Sequence, residues 1–229
     1  MKLFAALLLA SSIASAAPPV EISSRYTITT GSMTIGNVSE SYVRKGDSYT
    51  IQSVTRSEGV LKLFVDDEFT AESSGRVGPK GLLPSSYSEH RAKDSRRDLK
   101  SDFDWDKGVV RTVLHGESTE AALPVDTQDR ISMMYQFTFM KKPEDSFVLP
   151  MSDRRKVEMQ TYRFVEEVKL ATPAGQFDTL HYERVARDPN DIRAEVWLAK
   201  DRSNFPVRVV FDDPKRFRLE QTVVSLDIR

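Results

Sequence analysis

The chain has no cysteine. That excludes disulfides, thiol catalysis, cysteine-ligated metals and the acylated cysteine of a bacterial lipoprotein. It also lacks any apolar run of about 18 residues, the length a membrane helix needs. Charge of one sign is missing too: 33 basic residues stand against 34 acidic ones, with a pI near 6.3. No bulk electrostatic drive therefore favours nucleic acid or anionic lipid. Arg96-Arg97 and Arg154-Arg155-Lys156 read as solvated surface.

Chemical signatures are scarce as well. The three histidines, His90, His115 and His181, stand far from one another, with no metal-ligand spacing. There is no G-x-S-x-G elbow, Walker loop, G-x-G-x-x-G turn or H-E-x-x-H helix. The expectation is a protein that is not an enzyme, with no catalytic residue, cofactor or metal to nominate.

What is present begins at the N-terminus. "MKLFAALLLASSIASAAPP" has a basic Lys2, an apolar run from Leu3 to Ala10, and the small-residue site Ala14-Ser15-Ala16. This is the anatomy of a secretory signal peptide over 1–16, with a mature chain from Ala17. Removing Lys2 leaves 32 basic against 34 acidic residues. The mature chain, 17–229, is expected to be one periplasmic β-rich domain without a transmembrane segment. With no disulfide available, its hydrophobic core must hold it together.

Period-two alternation runs through the chain. "LKLFV" aligns Leu61, Leu63 and Val65. "IRAEVWL" sets Ile192, Ala194, Val196 and Leu198 against Arg193, Glu195 and Trp197, and "PVRVVF" sets Val207, Val209 and Phe211 against Arg208 and Val210. Turn signals separate such segments at 45–47, 79–81, 106–108, 172–175, 188–191 and 212–215. The fold class this predicts is mainly β. It is a single curved antiparallel sheet, a half-barrel or open barrel, with one amphipathic helix packed on the concave side.

The helix is expected in "DTQDRISMMYQFTFMKKP", with Asp126, Thr127 and Asp129 at its start and Lys141, Lys142 and Pro143 at its end. Met133, Phe137 and Met140 would share a face, broadened by Ile131, Met134 and Tyr135. A strand is the competing reading, because Tyr135, Phe137 and Phe139 alternate with Gln136 and Thr138. Asp129 reads as helix N-terminal chemistry, with a buried salt bridge to an arginine such as Arg184 as the alternative.

"SDFDWDKGVV" spaces Asp102, Asp104 and Asp106 like a calcium loop. However, Lys107 falls where the loop glycine belongs and Val113 where the bidentate glutamate belongs. A hairpin turning at Asp106-Lys107-Gly108 explains the stretch, with Phe103 and Trp105 on its inner face. Twelve Phe, seven Tyr, two Trp and seven Met can either fill a core or line a cavity for an apolar molecule. The candidate cavity-lining residues are Phe103, Trp105, Met133, Met134 and Phe137.

Six stretches together look like one family: "SMTIGNVSESYVRKGDSYTI", "SSGRVGPKGLLPSSYSEHR", "FDWDKGVV", "QDRISMMYQF", "TPAGQFDTLHYERV" and "VWLAKDRSNFPVRVVF". In this order they resemble the bacterial exported family of unknown function DUF3108, over most of 25–225. The resemblance implies a periplasmic or envelope-associated protein without an assigned reaction. It also implies a fold similar to the half-barrels of lipoprotein carriers such as LolA and LolB, in which helical elements cover a concave sheet. The functional expectation is a binding or carrier module for a lipid-like ligand. An envelope interaction or assembly factor with a filled core is the alternative, and an envelope-polymer hydrolase the third.

Overall fold

The structure, a computed structural model, describes residues 18–59, 68–140 and 144–229. The expected signal peptide, the strand around Leu61–Val65 and the helix end at Lys141–Pro143 lie outside these residues.

Fourteen strands form one antiparallel sheet among the described residues. The first eight are β1 (Glu21–Thr30), β2 (Met33–Lys45), β3 (Ser48–Ser57), β4 (Glu68–Gly78), β5 (Gly81–Arg91), β6 (Leu99–Asp104), β7 (Val109–Leu114) and β8 (Glu117–Ala122). A connection carrying one short helix, α1 (Ser132–Gln136), leads to the rest. These are β9 (Ser146–Asp153), β10 (Lys156–Thr172), β11 (Gly175–Arg184), β12 (Arg193–Ala199), β13 (Phe205–Asp213) and β14 (Phe217–Ile228).

Each half is a meander of neighbouring hairpins, and the halves meet where β1 pairs with β14. The expected turns join β2 to β3, β4 to β5, β6 to β7, β10 to β11, β11 to β12 and β13 to β14. At the tip of β6–β7, the Asp104 carboxylate accepts the Lys107 backbone N–H at 3.0 Å and its ammonium at 2.6 Å. This is local turn chemistry.

The alternation decides which face is inside. Ile22 and Tyr26 of β1, Val38 and Tyr42 of β2, and Tyr49 and Ile51 of β3 are all buried at every second position. Burying each such side chain contributes about 1.5–3 kcal/mol. Alternation fails in β12 and β13, where both faces are buried. Trp197 is covered because His181 stacks on it at 4.1 Å and the Arg208 guanidinium sits over it at 4.9 Å. Trp197 thus lies under two polar side chains rather than facing water.

Among the described residues the sheet does not close through strand pairing, and β8 and β9 are its edges. The segment after β8 bridges the gap instead. Leu123 N–H donates to the Gly108 carbonyl, while Gln128 exchanges backbone bonds of 2.8 Å with Pro150 and Ser152 of β9. Arg155 also reaches Glu117 at 2.6 Å across the seam.

The expected helix is therefore shorter than the sequence pattern. Residues 126–131 are drawn into this seam, leaving α1 and a 3-10 turn, Phe137–Phe139, to cross the interior. Asp129 supplies the helix N-terminal chemistry: its Oδ1 accepts the N–H groups of Ile131 (3.0 Å) and Ser132 (2.8 Å). Arg184 pairs with Asp191, not with Asp129. The helix buries Ser132, Met133 and Tyr135, while Met134 and Gln136 are only partly covered. Tyr135 joins the larger core, to which both halves of the sheet contribute, whereas Phe137 joins a second cluster with Tyr162, Tyr182 and Val196.

Candidate functional site

Between the crossing segment and the concave sheet lies a cavity of about 510 Å³. One wall comes from β1–β5: Tyr26, Ile28, Val38, Glu40, Ser53, Phe69 and Tyr87. The opposite wall comes from Met151, Gln160, Ala194, Phe211 and Leu219, and Arg130, Ile131, Met133 and Met134 cap it from the crossing segment. Most of this lining is apolar because the same alternation that builds the core points these side chains inward.

Of the five cavity candidates read from sequence, Met133 and Met134 line this space. Phe103, Trp105 and Phe137 do not. Phe103 stacks on Trp105 at 6.5 Å within the packed end of the sheet, and the Trp105 indole N–H donates to the Pro84 carbonyl at 2.7 Å. Phe137 meets Phe147 and Tyr162 edge-on at about 6 Å. Aromatic character marked these three, but their neighbours already fill the space around them.

The mouth is charged and internally matched. Arg187 bonds Glu158 at 2.9 Å and Asp191 at 3.2 Å, Arg184 bonds Asp191 at 2.9 Å, and Lys156 bonds Glu158 at 2.5 Å. Burial works to raise Asp191, yet the bonds from Arg187 and Arg184 prevail and hold its carboxyl well below the usual range. Arg184 also donates to the Ile192 carbonyl, which fixes the β11–β12 loop over the opening. Lys156, read from sequence as plain surface, borders this mouth.

Arg130, half exposed, pairs with the buried Glu89 at 3.2 Å, and Glu89 also accepts the Tyr87 hydroxyl at 2.7 Å. Glu40 differs: its hydrogen-bond partners are two neutral hydroxyls, Ser53 at 3.0 Å and Tyr135 at 3.3 Å. Burial pushes its carboxyl up to about 7, with those two bonds pulling the other way. Asp129, behind the crossing segment, is raised by burial to about 6 although it accepts Ser73 at 2.5 Å as well as its backbone donors.

Glu40, Glu89 and Arg130 escaped the sequence reading. The signal for the first two was available: in "VSESY" Glu40 shares the phase of Val38 and Tyr42, and in "YSE" Glu89 shares that of Tyr87. A carboxylate on the buried phase of a strand marks a polar group that the interior must accommodate. Nothing local distinguishes Arg130, because the seam that orients it depends on β9.

Comparison with known proteins adds a fold and a family. A β-barrel-like protein of the unknown-function domain DUF1849 from Brucella abortus is similar to this chain with a TM-score of 0.59 and 13% identity, covering 93% of this chain and all of that one. That likeness concerns the fold alone. More distant are a protein from Parabacteroides distasonis (TM-score 0.36, 7% identity, 91% and 95% covered) and one with a YmcC-like fold from Bacteroides fragilis (0.35, 7%, 91% and 96%). No curated protein matches the sequence. The model of the family "Protein of unknown function (DUF3108)" matches residues 25–220, and the chain belongs to that family.

Proposed function

We propose that this protein is an exported binding module of the cell envelope that holds an apolar or amphipathic molecule in its interior. The observation that carries this reading is the cavity: about 510 Å³, apolar through most of its lining, with matched charges clustered at the mouth. Pockets for small ligands occupy about 300–1,000 Å³ and share that character. The signal-peptide pattern of residues 1–16 supports export to the periplasm. A likeness to lipoprotein carriers such as LolA and LolB belongs to this reading, and so does the absence of catalysis.

Native mass spectrometry of protein exported to the periplasm and purified without detergent tests the reading. A discrete added mass, lost on solvent extraction and migrating as a lipid, is the expected result. A bare monomer mass that also fails to take up added lipid would refute it. The second reading is docking of an envelope protein on the sheet edge, favoured by the outer side of β8, which pairs with no strand among the described residues. Its test is a partner that co-purifies stoichiometrically and is lost when Ser118 or Glu120 is replaced by proline.

A further inference from the structure

The cavity's charges are unevenly satisfied, and this bears on what it binds; the inference rests on the cavity being a binding site. Four basic side chains line it, and each already faces a carboxylate: Arg130 meets Glu89, Lys156 meets Glu158, Arg184 meets Asp191, and Arg187 meets both Glu158 and Asp191. One lining carboxylate has no such match among the described residues: Glu40 is held by the Ser53 and Tyr135 hydroxyls, whereas Asp153 feels the charge of Arg130.

An anionic head group would find every lining cation engaged and would have to displace an existing pair. A neutral head group would leave the interior carboxylate uncompensated. A cation would satisfy it, since a buried carboxylate is costly until a positive partner or donors match it. The surrounding rings strengthen that preference. Tyr26 and Tyr87 share the wall with Glu40, and aromatic faces attract ammonium groups, whereas the Phe69 ring already carries the Arg91 guanidinium at 4.8 Å. The rest of the lining, including Ile28, Val38 and Met134, would receive a hydrocarbon chain.

We propose that the cavity takes a cationic amphiphile, a long-chain amine or quaternary ammonium, with its charge against Glu40 and its chain along the apolar wall. The test is displacement of a neutral fluorescent probe, N-phenyl-1-naphthylamine, from the full protein by decylammonium, decanol and decanoate in turn. Decylammonium is expected to compete about tenfold or more better than decanol, the factor that about 1.4 kcal/mol gives, with decanoate weakest. Glu40→Gln should bring the amine-to-alcohol ratio within about twofold.

If decanoate competes as well as decylammonium, or if Glu40→Gln keeps the amine preference, the cation assignment fails while the binding cavity stands. If neither probe nor chain binds, both readings fail together. The head-group series on the unaltered protein decides the question even where the variant does not fold.

Discussion

Tyr135 stacks on Tyr42 with ring centroids 5.4 Å apart, and that contact fixes the crossing helix to the centre of the sheet. Tyr135 also meets Phe205 edge-on at 5.5 Å, so one ring links β2 in the first half to β13 in the second. Its hydroxyl donates to Glu40, which couples the helix to the cavity wall. Tyr135→Ala is expected to cost about 3–5 kcal/mol in urea unfolding, the usual loss for a fully buried aromatic. Tyr135→Phe should cost about 1 kcal/mol, because only a hydrogen bond is lost.

Gly75 has a different constraint. A Cβ there would lie 2.2 Å from the Leu83 carbonyl oxygen, on the strand paired across a bulge. Backbone cannot yield as a side chain can, so Gly75→Ala is expected to lose about 2–3 kcal/mol. Gly108 has open space around it and only its left-handed φ of +66 to satisfy. Gly108→Ala should therefore cost about 1 kcal/mol. Equal losses in paired denaturation curves would contradict the steric account.

Glu40 sets a pH dependence. Its carboxyl is raised from 4.5 to about 7 in the folded protein, so the folded state binds that proton more tightly than the unfolded chain. The stabilisation is complete below pH about 4.5 and is lost as pH rises toward about 7. Asp129, raised from 3.8 to about 6, acts in the same direction over a lower window. Compared with Glu40→Gln, the unaltered protein should lose about 2 kcal/mol between pH 4.5 and 8, allowing for water in the cavity. Unfolding curves for the two proteins that stay parallel across this range would refute the shift.

Asp191 works the opposite way. Its depressed carboxyl contributes stability above the unfolded value near 3.8 that fades as pH falls through the folded one. Asp191→Asn should leave Arg184, only 10% exposed, without its charged partner and cost about 2 kcal/mol. Amide exchange in residues 186–192 should accelerate at neutral pH while exchange in β1 stays slow. No change in that loop would mean the ion pairs do not hold it.

The sheet was legible because period-two patterning is a local property. "IRAEVWL" and "PVRVVF" gave the inner faces of β12 and β13 from a few residues each. The burial of Trp197 was not legible, since it depends on His181 and Arg208 arriving from neighbouring strands. The same limit shortened the helix: Gln128 looks helical by composition, but β9 claims its backbone. In the cavity, Met133 and Met134 could be nominated from their segment alone. Separating them from Phe103, Trp105 and Phe137 required knowing which neighbours fill space. Glu40 was legible in principle, from its phase between Val38 and Tyr42, and would be found by asking which charges interrupt a buried face.

The pairing of β1 with β14 has a kinetic consequence. Ile22 meets Ile228, and Val20 N–H donates to the Arg229 carbonyl at 2.7 Å, so strands from opposite ends of the chain share the middle of the sheet. Each meander can grow by adding hairpins next to one another in sequence, but joining them requires closure of a loop of about 200 residues. Until synthesis reaches β14, the first meander has β1 as an unsatisfied border, exposed to mispairing or to capture by a holding chaperone. Proximity of the two ends also makes the ladder a natural place to splice. A circular permutant that links them and opens between β8 and α1, where consecutive strands do not pair, should keep the same strand order and fold faster, because its longest-range pairing has become a hairpin.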